Sequence, residues 1–255
     1  MSSKLDLSKE LIGRRALVTG GTRGIGAAIA QRLLDAGAKV VVSARTPRDE
    51  TPSGATFVAG DVRSADGLKT LAAEALSALG GLDILVNNAG GSRFFAGGAA
   101  TIPDEDWQDV LALNLFSAVR LTNAVLPALR ESKAASIVNI SSTAATMPFG
   151  PFAHYCAAKA ALDMYSRTLA GELAPGGIRV NVVTPGPVVT PGGEEVRKEF
   201  SAGMGVPDDA FVQHVPLGRL GAPDDVAEVV ALLVSDRGKW LTGVNYRVDG
   251  GMTAR

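Results

Sequence analysis

Short apolar runs recur along the chain and alternate with longer segments of helical character. The runs are Ala16-Leu17-Val18, Val40-Val41-Val42, Thr56-Phe57-Val58, Ile84-Leu85-Val86, Ile137-Val138-Asn139-Ile140 and Val180-Asn181-Val182-Val183, with a last one at Tyr246-Arg247-Val248. Most are continuous rather than alternating, the pattern of strands buried on both faces of a parallel sheet. Between them the spacing predicts helices over 25–36, 67–79, 104–130, 155–173 and 224–235. Thr101-Ile102-Pro103-Asp104 carries a cap, an early proline and an acidic first turn, all helix-start signals. Gly221-Ala222-Pro223-Asp224-Asp225 repeats that grammar. Strand, helix, strand without a break predicts an α/β fold, a doubly wound (Rossmann) parallel sheet of about seven strands with helices on both faces. No linker or internal repeat divides the chain, so 1–255 is expected to form one domain. One stretch stands outside the rhythm: 187–219 has several Gly and Pro, few apolar runs and no clear period. It follows a predicted strand on the side where open sheets bind ligands, and its length marks a lid or binding loop.

Composition narrows the class. The 46% hydrophobic content with only 5% aromatics implies a core of Ala, Val, Leu and Ile. A net charge of −1 gives no global field to attract nucleic acid or an anionic membrane. The single cysteine, Cys156, excludes an internal disulfide and fits a reducing setting. Met1 to Arg15 mixes Lys, Asp and Glu with isolated leucines, unlike a signal peptide. No apolar run approaches the roughly 20 residues of a membrane span. The expectation is a cytoplasmic protein with no nucleic-acid or membrane partner and no metal site.

The candidate chemistry begins with Thr19-Gly20-Gly21-Thr22-Arg23-Gly24-Ile25-Gly26, between the first strand and the first helix. Glycines there permit a tight turn and close approach to a pyrophosphate, and the helix N-terminus offers free N–H groups. The spacing is GxxxGxG rather than the commoner GxGxxG. At the end of the second strand, an NAD site usually places a carboxylate against the ribose 2′-hydroxyl. This chain has Val42-Ser43-Ala44-Arg45, with no carboxylate before Asp49. Arg45 suits charge-assisted bonds to a 2′-phosphate, with Arg23 a second cation and Ser43 a hydroxyl donor. NADP(H) is therefore favoured over NAD(H). Downstream, Tyr155 and Lys159 stand four residues apart, one above the other if the stretch is helical.

In order along the chain, these motifs resemble the short-chain dehydrogenase/reductase family, in its 3-oxoacyl-carrier-protein-reductase-like branch, over essentially the whole length. The Gly20, Gly24, Gly26 turn is similar to the family's cofactor motif, and Asp61-Val62 to its adenine-contacting acid. Asn87-Asn88-Ala89-Gly90 matches the element that supports sheet and cofactor. Asn114 falls on the family's helix asparagine, Ser142 on its catalytic serine, and Tyr155 and Lys159 on its YxxxK pair. Pro185-Gly186, with Val188 and Thr190, resembles the segment on the nicotinamide side, and Val248-Asp249-Gly250-Gly251 is also family-typical. The resemblance implies that Lys159 also holds the nicotinamide ribose, that Asn114 anchors a water-mediated proton relay, and that the chain forms a homotetramer or homodimer through helices 104–130 and 155–173.

The chemistry can be argued from the residues themselves. A tyrosine of pKa about 10 is a poor base near neutrality. A cation within reach lowers it by roughly 1–3 units, so Lys159 and an oxidised nicotinamide would activate Tyr155 as the general acid/base for a carbonyl or alcohol. Ser142 would hydrogen-bond the same oxygen. Ser141 should point the opposite way; His154 is at most a pocket wall, and Cys156 a small semi-buried side chain. Ser92, Arg93, Phe94, Ala144, Met147, Phe149, Phe152, Val188, Phe200 and Met204 are candidates for an apolar substrate pocket, in which Arg93 meets either an anion or a rim partner. A cofactor-sensing protein with the same fold and no turnover is the competing class. An epimerase or enoyl reductase fits less well, the latter because that branch spaces its Tyr and Lys farther apart.

Overall fold

The computed structural model describes residues 6–207 and 210–254. Part of the N-terminal stretch considered above (1–5), Asp208 and Asp209 of the 187–219 segment, and Arg255 lie outside the described residues. Strands β1 (Arg15–Thr19), β2 (Lys39–Ala44), β3 (Thr56–Ala59), β4 (Ile84–Asn87), β5 (Ser136–Ile140), β6 (Arg179–Pro185) and β7 (Asn245–Val248) form one sheet in the order β3-β2-β1-β4-β5-β6-β7. Every pairing is parallel.

The continuous apolar runs are explained by two cores. Ala16, Val18, Val40, Val42, Ile84, Val86, Val138 and Ile140 point to one face, against α1 (Gly24–Asp35) and α8 (Pro223–Val234). Leu17, Val41, Leu85 and Ile137 point to the other, against α2 (Ala65–Leu79) and residues of two later helices. Successive strand residues alternate in direction, so a strand covered on both sides must be apolar at every position. The chain winds outward from β1 to β3, then returns to lay β4 on the other side of β1. That reversal leaves a crevice at the carboxyl ends of β1 and β4.

Helix boundaries follow local chemistry. Ser64 Oγ accepts from Gly67 N–H at 3.2 Å to open α2, and Gly80 closes it with φ of 76°. Asp225 accepts from the Ala222 N–H at 2.8 Å, ahead of Pro223 in the first turn of α8. Around residue 103 the expectation needs correction: Pro103 is itself the N-cap, and Thr101 ends a separate 3₁₀ turn.

The helix expected over 104–130 is also not uniform. It runs as α3 (Asp104–Leu111), a π turn (Ala112–Phe116) and α4 (Ser117–Arg130). Taken as a whole it is long and apolar enough by composition to cross a membrane, contrary to the expectation that no such segment exists. Its apolar residues Leu121, Val125 and Leu129 are spent against the sheet and α2. Helix α5 (Ala153–Leu173) packs beside it.

The 187–219 segment contains a 14-residue helix, α6 (Pro191–Met204), and a short α7 (Ala210–Gln213). Gly192, Gly193 and Gly203 hid the helical period, since glycine weakens any helix signal. The start signal was present in Thr190-Pro191: Thr190 Oγ1 accepts from Gly193 N–H at 3.0 Å.

Candidate active site

At the end of β1 the chain turns through Gly20 (φ 63°) and enters α1 at Gly24 (φ 55°), conformations that glycine adopts without strain. Gly26 answers to a different constraint. A Cβ there would overlap the Gly20 carbonyl and the Asn88 amide, so the first turn of α1 lies directly on the loop. Asn88 clamps the same loop by donating from Nδ2 to Thr19 O (2.9 Å) and Gly20 O (3.2 Å). Thr19 Oγ1 accepts from the N–H groups of Asn88 and Ala89, each at 3.0 Å.

This turn forms one end of a cleft of about 710 Å³, a volume suited to a small-molecule or cofactor site. Of the sequence-derived cofactor residues, Gly20, Thr22, Arg23, Gly24, Ile25, Gly26, Ser43, Arg45, Asp61, Val62, Asn88, Ala89, Gly90, Pro185, Gly186, Val188 and Thr190 all line it. So do Ser142, Tyr155 and Lys159. Arg45 is exposed at the cleft edge, whereas Arg23 approaches Glu195 at 3.9 Å. Ser43 is buried beneath the cleft and its hydroxyl has no hydrogen-bond partner within the protein.

Two residues of this end escaped the sequence reasoning. Arg48 lines the cleft, and Glu50 Oε2 accepts from the Gly24 N–H at 2.9 Å. A carboxylate thus reaches the cofactor turn despite its absence from the end of β2. The Gly24 N–H at the start of α1 thus carries an anionic oxygen supplied by the chain itself. No local motif places Glu50, because it arrives through the long connection from β2 to β3.

At the other end, α5 carries Tyr155 and Lys159 one turn apart, with the ammonium 5.7 Å from the phenol ring centroid. Lys159 is 3% exposed and donates to the Ile140 carbonyl at 2.8 Å. Ser142 follows the end of β5, where its Oγ accepts from Ala144 N–H at 3.2 Å. Burial pushes the Tyr155 phenol up to about 12, while a hydrogen bond with Ser142 pulls it down. Burial also brings the Lys159 ammonium down to about 8, opposed by the charge of Asp163. With protein groups alone, burial outweighs the Ser142 hydrogen bond and the phenol is raised rather than lowered; the Lys159 ammonium is directed at a backbone carbonyl.

Asn114 lies just behind the cleft, in the π turn, a feature often found at functional sites. Its amide nitrogen donates to Gly91 O and Val110 O, both at 2.9 Å, and its oxygen accepts from Gly91 N–H at 3.1 Å. Its side chain thereby holds the loop after β4. A Cβ on Gly90 would come within 2.8 Å of Asn114 Oδ1 and 3.3 Å of Lys159 Nζ, so that glycine keeps the two close.

Ser141 is buried beside Asp163 and, like Ser142, borders the cleft. His154 is fully buried between Phe95 and Trp107, its pKa lowered by burial and neither ring nitrogen bonded. Cys156 is half-buried against the carbonyls of Met147 and Phe149, its thiol pushed up by burial. Arg93 takes the rim role, paired to Asp106 at 2.6 Å. Phe149 and Phe152 line the cleft, while Phe94 and Phe200 pack behind them at ring separations of 5.2–6.0 Å. Met204, half exposed, lies outside the lining.

Comparison with known proteins adds to this geometry. A family model described as enoyl-(acyl carrier protein) reductase matches residues 20–253. The chain is 37% identical over 248 residues to the 3-oxoacyl-[acyl-carrier-protein] reductase FabG of Haemophilus influenzae, covering 94% of this chain and 98% of that one. The chain belongs to the short-chain dehydrogenase/reductase family. As a short-chain dehydrogenase/reductase it is in the class of nicotinamide-dependent oxidoreductases. It is also 35% identical to the 2,5-dichloro-2,5-cyclohexadiene-1,4-diol dehydrogenase LinX of Sphingobium indicum, with 96% and 98% of the two chains covered. Among solved structures, the ligand-free aldohexose dehydrogenase of Thermoplasma acidophilum superimposes with a TM-score of 0.87 at 29% identity, covering 97% of this chain and 96% of that one.

Proposed function

We propose that this protein catalyses NADP(H)-dependent interconversion of a carbonyl compound and a secondary alcohol, with Tyr155 as general acid/base. The observation that carries this reading is the convergence of Tyr155, Lys159 and Ser142 at one end of a cleft whose other end is the glycine turn. When bound, the nicotinamide supplies or accepts the hydride. Tyr155 then gives a proton to the substrate oxygen in reduction or takes it back in oxidation. Ser142 holds that oxygen by a hydrogen bond. Lys159 keeps a positive charge beside the phenol, and Tyr155, raised by burial, would gain a second favourable charge from an oxidised nicotinamide. Asn114 fixes the loop after β4 and anchors the proton path.

Arg45, Arg48 and Arg23 at the cleft edge favour a 2′-phosphate, so NADP(H) is preferred. Segment 187–219, with Val188 on its entry and α6 above the cleft, acts as the lid of a single domain. The apolar walls from Phe149, Phe152 and Met147 favour a hydrophobic carbonyl compound. The FabG relatives make 3-oxoacyl thioesters the first class to try. Exposed Phe116 and Met164, beside α4 and on α5, support burial in a cytoplasmic homotetramer or homodimer.

The test is oxidation of NADPH and NADH in parallel across ketones, aldehydes and 3-oxoacyl thioesters. Turnover faster with NADPH is expected, with Tyr155→Phe losing nearly all of it while still binding NADPH. Turnover that survives Tyr155→Phe would overturn the assignment.

A further inference from the structure

Tyr155, Lys159 and Asp163 stand at i, i+4 and i+8 on α5, stacked along one helical face. The surroundings of Asp163 are those of a fixed carboxylate. Its Oδ2 accepts from Asn245 Nδ2 at 2.8 Å, and Asn245 is itself oriented because its Oδ1 accepts from the Thr184 hydroxyl at 2.6 Å. Asp163 Oδ1 is buried without a hydrogen-bond partner, and so is the Ser141 hydroxyl that approaches the same carboxylate. A cavity of about 10 Å³ beside it, bordered by Ser166, Arg167 and Asn245, has room for about one water. Two cations flank Asp163, Lys159 one turn before it and Arg167 one turn after. The neighbouring Ser141, Val180, Val182 and Asn245 bring no charge to it. Arg167 is exposed and screened by solvent. Lys159 is buried and depends on whatever charge lies nearby.

We propose that Asp163 is a positioning residue for the reaction: its carboxylate is the counter-charge that keeps the buried Lys159 protonated, and through Lys159 it sets the upper pH limit of activity. This rests on the roles given to Tyr155 and Lys159 above. Burial brings Lys159 down to about 8, and Asp163 is the one charge that acts in the opposite direction. Without it the ammonium would lose its proton within the physiological range. It would then neither hold a ribose as a charged donor nor favour the phenolate of Tyr155.

The test replaces Asp163 by Asn, which keeps the volume and lets a side-chain oxygen still accept from Asn245. Lysine labelled with ¹³C at Cε reports the titration of Lys159 directly by NMR, with Lys159→Met assigning the signal. In Asp163→Asn the Lys159 titration is expected to fall by about one pH unit or more. The basic limb of kcat/KM against pH should move down by the same amount, with Asp163→Glu restoring part of the shift. A Lys159 titration that is unchanged overturns the proposal even if turnover drops. Should Asp163→Asn fail to fold, the coupling is read from the other side. Lys159→Met should then raise the titration of Asp163, observed at its carboxyl carbon, and no change there equally overturns the proposal. Neither NMR measurement needs turnover. A wild-type enzyme inactive on every carbonyl compound would count against the hydride-transfer reading and leave this test intact.

Discussion

Replacing Gly26 by Ala probes the contact on which the cofactor turn depends. An added Cβ would overlap the Gly20 carbonyl oxygen and the Asn88 amide, and would stand 2.8 Å from the Gly20 carbonyl carbon. None of these groups is the free end of a flexible side chain. The Asn88 amide is tied to Thr19 O and Gly20 O, and Gly20 N–H is held by Ser43 O at 2.7 Å. Overpacking of this kind costs about 1–3 kcal/mol. Displacing the two Asn88 hydrogen bonds adds about 1 kcal/mol each. The sum, about 3–5 kcal/mol, corresponds to a fall in Tm of about 6–20 °C for a chain of this size. Thermal unfolding by circular dichroism measures it, and a fluorescence titration should show NADPH affinity weakened at least tenfold, a loss of about 1.4 kcal/mol in binding. Gly171→Ala is the internal control. It lies in α5 with nothing within 4 Å of its would-be Cβ, and should gain about 0.5–1 kcal/mol. A Gly26→Ala protein that melts within about 2 °C of wild type and binds NADPH normally would refute the close-approach argument.

Three further outcomes follow from the same geometry. Arg45→Asp should reverse or abolish the NADPH preference in steady-state kinetics, since a carboxylate repels a 2′-phosphate; an unchanged preference removes Arg45 from the specificity argument. Lys159→Met should abolish turnover yet stabilise the fold by up to about 3 kcal/mol near neutral pH. The wild-type lysine falls from 10.5 to about 8 on folding, so its cost is full below pH 8 and fades as pH rises toward 10.5; urea unfolding at pH 7 and pH 10 reads the difference. At Asp83, burial pushes the carboxyl up, but hydrogen bonds from Arg15 and Ser132 prevail and hold it below 3.8. That stability is present above the unfolded value and lost as pH falls through the folded one, so Asp83→Asn should cost about 2–3 kcal/mol at pH 7 and flatten the acid limb of unfolding.

The parts of the fold legible in the sequence are those in which one physical demand governs one residue type. Strands covered on both faces need Val and Ile at every position, so Val40–Val42 and Ile84–Val86 announced themselves. The glycine turn and the Tyr155–Lys159 spacing were legible because backbone approach and helical periodicity act over a few residues. Features set by distant pairing were not. Glu50 reaches Gly24 only after the β2–β3 connection folds, and α6 was masked by three glycines although Thr190 and Pro191 marked its start. The depth to which Tyr155 and Lys159 are buried was not legible for a related reason. Spacing places Lys159 near the phenol, but the Ile140 carbonyl and the depth of burial decide where that ammonium points and how both groups titrate.

The π turn at 112–116 has a consequence for how this helix tolerates changes in length. Ser117 N–H reaches back five residues to Ala112 O, so the stretch holds one residue more than a regular helix would. That residue advances the phase by about 100° between the two halves. Helix α3 can therefore face α5 while α4 faces α2. Deleting one residue here would give a straighter and locally more regular helix. It would also rotate either Asn114 away from Gly91 or Leu121 and Val125 out of their core. The irregularity acts as a register coupling between the half that holds Gly91 and the half that packs on the sheet, and insertions or deletions within 104–130 should be accepted only where that phase is preserved.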